Sequence, residues 1–192
     1  MDKLTLGLHS WIVQDGNYGD FRRGETIEVA VEFYADEELS PTESHSVGAA
    51  RIAGETYRIC GHVTHAWDGG VVVDFGIQAF TTRTVDPLPP KGAYVVGDVH
   101  LGVDPFDYFE SLHKLPAFPP LIYTWRIEQI ELNTTPWLES SSRVIVRDAT
   151  RQSWMEVAQT HAWEDDEGHA SYLLDCVRLD VPPKTTSRTA AG

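Results

Sequence analysis

Basic residues are scarce in this chain: 15 Lys and Arg stand against 29 Asp and Glu, a net charge of −14 over 192 residues. Such a balance repels phosphate backbones and anionic membrane surfaces and favours basic partners. The deficit is even along the chain, since residues 1–96 and 97–192 each carry −7, so neither half is a charged tail. Arg143, Arg147 and Arg151 with Trp137 and Trp154 could furnish a basic and aromatic strip for a nucleic acid, and the global charge opposes it. Nucleic acid and membrane are therefore not expected partners.

Cysteine is nearly absent. Cys60 and Cys176 are too few for a secreted disulfide framework and have no metal-ligand spacing, so each reads as a small residue within a strand. No apolar run approaches the roughly 18 residues of a membrane span, and Met1 to Thr5 do not begin a charged leader with an apolar core, so a cytoplasmic location is expected. Nucleophile elbows, phosphate loops, dinucleotide fingerprints and paired-histidine zinc motifs are all missing. Neither a cofactor nor a metal is expected. Glu164-Asp165-Asp166-Glu167 lacks the alternating spacing of a calcium loop and reads as a solvated turn.

Short strands separated by turn chemistry dominate what is present. Leu4 to Val13 reads as a strand with Leu4, Leu6 and Leu8 on one side. Residues 25–33 alternate strictly, placing Ile27, Val29, Val31 and Phe33 inward and Glu28 and Glu32 outward. Residues 36–54 lose periodicity and read as a long polar loop. The proline-rich stretch from Val85 to Gly92 is a connector, and Tyr94 to Val103 resumes strand character. One helix is predicted over 104–115, capped by Asp104 with Pro105 at its first position and ended by Pro116. Leu121 to Leu132 and Val144 to Val146 are further strands, and the tail from Lys184 has nothing to bury.

One short run recurs. Thr64-His65-Ala66-Trp67-Asp68 returns as Thr160-His161-Ala162-Trp163-Glu164, with Trp11 and Trp125 upstream of the respective copies. Each copy reads as the end of the first strand of a hairpin. With Gly69-Gly70 as the first turn, His65 faces Asp74; with Glu167-Gly168-His169 as the second, Gln152–Trp163 pairs with Ser171–Val181 and His161 faces Asp175. The expected architecture is all-β: two tandem, diverged barrel or sandwich units of the OB or SH3-like kind, with one short helix. The units would span 1–103, with the polar insertion at 36–54, and 121–183, joined by the helix and proline connector at 104–120 and followed by a disordered tail at 184–192.

A carboxylate beside imidazole is the usual preparation for acid–base chemistry, which makes His65, Asp74, His161 and Asp175 the candidate catalytic residues. Their recurrence in both halves favours a structural cross-strand pair instead. The leading expectation is a non-enzymatic acidic protein that presents a β surface and the 36–54 loop to a basic protein, by analogy with immunity or inhibitor proteins. The alternative is a small-ligand-binding protein or an enzyme with a cleft between the units lined by Trp11, Trp67, Trp125 and Trp163. A third reading pairs an edge strand with a second copy of the chain.

Overall fold

The computed structural model describes residues 2–83, 88–141 and 144–186. Strands make up 49% of the chain and helix 9%, so the protein is all-β. The strictly alternating segment supplies the first barrel strand. Val31 and Phe33 turn inward and are buried, while Glu32 and Tyr34 stay on the outer side, in β3 (Val31–Tyr34). The ring continues through β6 (Thr56–Trp67), β7 (Gly70–Asp74), β8 (Gln78–Thr81) and β9 (Tyr94–Val103). Antiparallel contacts join β6 to β7, β7 to β8, β9 to β6 and β3 to β9; one parallel contact, Glu32 to Phe80, closes β3 onto β8. The result is a closed five-stranded barrel, the strand number of an OB-type barrel. Closure removes the free edges that an open sheet of this size exposes.

The segment from 25 to 33 is not one strand. It breaks at Ala30 into β2 (Thr26–Val29), which pairs with β10 (Tyr123–Asn133), and β3, which pairs with β9. Ala30 gives its carbonyl to the Asp104 amide instead (3.0 Å). The N-terminal strand is shorter than expected as well. β1 (Lys3–His9) ends in the single turn α1 (Ser10–Gln14), and Leu4, Leu6 and Leu8 are fully buried.

β1 runs antiparallel to β14 (Ser171–Arg178), which pairs onward with β10, and β10 with the edge strand β13 (Trp154–Val157). Strands from both ends of the chain thus join one sheet, and hydrogen bonding does not break at the expected unit boundaries near 103 and 121. No second closed ring forms among the described residues. One large apolar core spans barrel and sheet, with Trp125 completely buried in it. A smaller one lies outside the barrel wall, where Val72 and Phe80 meet Tyr108, Leu112, Phe118 and Leu121.

The polar segment 36–54 is not all loop: β4 (Ser40–Pro41) pairs with β9 and β5 (Gly48–Ala53) with β6. β5 hid from the hydrophobic pattern because its side chains are half-buried or exposed. The predicted helix is two short pieces, α2 (Asp107–Glu110) and a 3-10 turn at Leu112–Lys114. The cap position is Phe106, so Asp104 and Pro105 both lie ahead of the first helical residue; the Asp104 carboxylate nonetheless accepts the amides of Phe106 (3.2 Å) and Tyr108 (3.1 Å). The tail is held at its start, because Lys184 and Ile122 exchange backbone hydrogen bonds at 2.8 and 3.0 Å. The remainder of the tail from 187, residues 84–87 of the connector and its flank, and Arg143 lie outside the described residues.

Candidate functional site

The first hairpin has a different register from the expected one. Asp68-Gly69 is the two-residue link, with Gly69 at φ +142°, and Trp67 pairs with Gly70. A bulge at Thr64 then shifts the ladder, so His62 faces Asp74 and His65 faces Val72. The bulge also reverses which side chains face the barrel interior. Before it, Tyr57, Ile59 and Val63 point inward; after it, Ala66 packs on the main core while Trp67 packs on the outer one. His65 lies edge-on to Phe118 (4.9 Å between ring centres), and burial, followed by the charge of Lys91, holds its imidazole below the ordinary value. Asp74 accepts the Gly76 amide at 2.9 Å.

The second expected hairpin does not form, because β14 lies between β1 and β10 and β13 pairs with β10. Asp175 accepts the Thr5 hydroxyl at 2.5 Å, with Lys3 and Arg51 at 3.6 and 3.9 Å, and His161 is elsewhere, beside Gln159 and Glu164. The His-carboxylate contact that does occur on the barrel was not visible in the pattern: His100 bonds Thr56 (3.1 Å) on the adjoining strand and Asp36 (3.2 Å) in the loop after β3. The four tryptophans occupy separate environments. Trp125 is in the main core, Trp67 on the outer one, and Trp11 and Trp163 stand exposed. An open cleft lined by Tyr123, Arg178, Pro182 and Pro183 holds none of them.

The second copy of the repeated run instead forms a pinned surface loop. Thr160 and Ala162 point inward and are fully buried, both bound to Asp20: the Thr160 hydroxyl and the Ala162 amide donate to its carboxylate at 2.9 Å. Gln14 donates to the carbonyls of Ala162 (2.7 Å) and Gly168 (3.0 Å), and the Ser10 hydroxyl to Gly168 (2.7 Å). Tyr172 donates to Asp165 at 2.7 Å. Asp166 receives the Trp137 indole N–H (3.0 Å) and an ion pair from Arg147, whose guanidinium stacks 3.8 Å from the Trp137 ring centre. Trp163 is left 70% exposed, with the Glu164 side chain at 81%.

Asp166 and Glu167 both hold positive φ, +49° and +56°, ahead of Gly168 at +83°. Each such residue without glycine's freedom costs about 1–2 kcal/mol, a kind of strain that persists only where the surroundings over-determine it. Glu167→Gly is therefore expected to raise unfolding free energy by roughly 1 kcal/mol in urea titration, because Glu167 makes no bond the change removes. Asp166→Gly should lower it instead, since the Trp137 and Arg147 contacts are lost with the carboxylate.

Seven of the thirteen large apolar side chains exposed among the described residues fall between 137 and 163. They lie on the ribbon of β11 (Trp137–Ser141) and β12 (Val144–Arg147), on the edge strand β13 and on the Trp163 loop, which the ribbon touches through Asp166. Patches of this sort mark interaction sites.

A separate cluster joins β3 to the start of α2. Oxygens of Glu32, Asp104 and Asp107 come within 4.8 Å of one another, and the Thr82 hydroxyl lies 3.3 Å from both Glu32 and Asp107. Burial, then the Asp107 charge, pushes the Glu32 carboxyl up to about 7; burial, partly offset by the Tyr108 amide, pushes Asp104 up to about 7. These are the residues whose donor chemistry suits a hard cation. Sequence spacing gave no sign of them, because Glu32 sits on a strand far upstream of the helix cap. Arg147 and Arg151 of the basic strip are each paired, to Asp166 and Asp148. Among the described residues no helix is long and apolar enough to cross a membrane. No family model, curated protein or solved structure matches the chain.

Proposed function

We propose that the chain is a non-enzymatic interaction protein that receives a basic protein partner on the Trp163 loop. The carrying observation is the loop itself: an exposed indole flanked by Glu164 and Glu167, on a backbone fixed from both sides by Asp20, Gln14, Tyr172 and Arg147. An aromatic anchor on a fixed backbone loses little entropy on binding, and the exposed acids Glu164 and Glu167 of the same loop select cationic partners and speed their arrival. The net charge of −14 acts in the same direction over longer range.

The test is affinity capture by the parent chain and by a Trp163→Ala, Glu164→Lys double variant. The expected partner is basic, is released as salt rises, and binds the variant at least about 30-fold more weakly, the loss of a central anchor. The variant should melt with the parent, because both side chains are largely in water. A partner that is acidic, indifferent to salt, or retained equally by the variant contradicts the proposal.

A further inference from the structure

Arg147 shows how this chain holds a guanidinium. Its cation lies over the Trp137 ring, 3.8 Å from the ring centre, while its edge pairs with the Asp166 carboxylate, which also accepts the Trp137 indole N–H at 3.0 Å. Indole and carboxylate act together, the ring face drawing the cation and the acid meeting its N–H edge. The arrangement favours arginine over lysine, because an ammonium is a strongly hydrated point charge with no plane to stack.

The same two groups stand open to solvent at two places on adjoining backbone. On the loop, Trp163 is followed by Glu164, and both are exposed. On α1, Trp11 is exposed, and Asp15, four residues on, gives its amide to the Trp11 carbonyl (2.9 Å) and so lies on the same side of the turn. The Asp15 carboxylate is exposed and has no partner among the described residues. Ser10 and Gln14 of α1 bond the loop at Gly168 and Ala162 (2.7–3.0 Å), which holds the two sites side by side. The Trp11 site is as firmly based as the loop: Ile12 and Val13 are in the core, the Trp11 ring meets Phe106 edge-on at 6.5 Å, and Asn17 and Tyr18 bond the carbonyls of Pro105 and Asp104.

Charge agrees with a cationic occupant. Residues 9–25 and 159–170, all described, hold seven acids against Arg22 and Arg23, a net −5, and Arg147 reduces it only to −4. We infer that the basic partner presents arginine side chains here, one laid on Trp163 toward Glu164 and a second on Trp11 toward Asp15. This rests on the partner reading of the Trp163 loop and adds to it a second anchor and the kind of side chain that is bound.

Titration calorimetry of the full chain with nona-arginine and with nona-lysine tests it, because the two peptides carry equal charge. The expected result is at least about fivefold tighter binding of nona-arginine, weakening as salt rises. Trp163→Ala and Trp11→Ala should each lower nona-arginine affinity about three- to tenfold, the loss of one cation on an indole, and the variant with both changes should bind the two peptides nearly alike. Trp11→Phe, which keeps a ring against Phe106, should fall between the parent and Trp11→Ala, so that a lost fold is not mistaken for a lost site. Trp154→Ala, on β13 and outside both pairs, should change nothing. Equal affinity for the two peptides, or a nona-arginine affinity untouched by either tryptophan-to-alanine change, overturns the inference. Those outcomes leave the partner reading standing; it is tested separately, by whether the captured partner distinguishes the Trp163→Ala, Glu164→Lys variant.

Discussion

Replacing Gly70 with alanine is expected to destabilise the protein by about 3 kcal/mol or more, the upper range for forcing atoms into a filled interior. Gly70 pairs with Trp67 where the β6–β7 hairpin opens. A methyl group there would stand 1.9 Å from the Thr81 carbonyl oxygen and 2.6 Å from Trp67 Cζ2. Trp67 could swing away, losing its contact with Phe118 (5.2 Å between ring centres), but the carbonyl cannot. Thr81 is itself buried and pairs with Val71, so its backbone is fixed in the barrel wall. The clash must be relieved by separating β7 from β8, which opens the closed ring.

The neighbouring glycines provide the controls. Gly61 meets a comparable obstacle, the Asp74 carbonyl at 2.4 Å, and its alanine variant should rank next to that of Gly70. Gly69 has only Trp67 atoms near it and is there for its positive φ, so Gly69→Ala should cost about 1–2 kcal/mol. Urea unfolding of the three variants tests this order. A Gly70→Ala variant within about 0.5 kcal/mol of the parent, the range of an ordinary surface change, would mean that the hairpin register is wrong.

The same hairpin shows how far the sequence could be read. The strand identities and the tight glycine turn were visible in it, as was the all-β class, because alternation and turn residues are local signals. The register was not. Two adjacent glycines allow the turn at either of two places, and the bulge at Thr64 answers to the barrel's curvature, which no local pattern encodes. Since one step of register turns every side chain over, the expected pairing of His65 with Asp74 failed with it, and His62 took that place.

Long-range contacts account for the other departures. Ala30 ends a strand because Asp104 bonds its carbonyl, and nothing near Ala30 in sequence announces that. The repeated run is one word in two settings: strand β6 in the first copy, and in the second a loop fastened by Asp20, 140 residues before Thr160. Within that loop the bonds to Asp20 hold Thr160 and Ala162 inside, and His161 and Trp163 are left outside. That Asp104 would bond the amides opening the helix, by contrast, was readable from a few residues, since acceptor and donors are near neighbours, although the helix itself starts later, at Asp107.

Glu32→Gln is expected to make the protein more stable at pH 8 and to leave it nearly unchanged at pH 5. In the folded chain the carboxyls of Glu32 and Asp104 hold protons up to about pH 7, whereas the unfolded chain releases them near pH 4. Between those limits the folded state binds more protons, so its stability falls as pH rises and levels off above about 7. A shift of about three units in the fully buried Asp104 bounds the effect at roughly 4 kcal/mol. Glu32 is only partly buried, so solvent screens its own share, and its repulsion of Asp104 is already inside that bound, so the cluster total stays near it. Glutamine keeps the size and an acceptor for Thr82 while removing one charge, which should recover about 1–2 kcal/mol at pH 8. Other groups titrate nearby: His9 and His65, held low by burial, make stability rise with pH below about 6.5, and Asp148, held down to about 2 by hydrogen bonds from Thr150 and Arg151, acts only below about pH 4. Both contributions cancel in the difference between variant and parent, so that difference, taken from urea midpoints at half-unit steps from pH 5 to 8.5, is the quantity to measure. It should grow through pH 6–7 and then level off. A difference that is flat across the range, or a variant less stable than the parent at pH 8, would show that Glu32, Asp104 and Asp107 do not share a buried, proton-holding cluster.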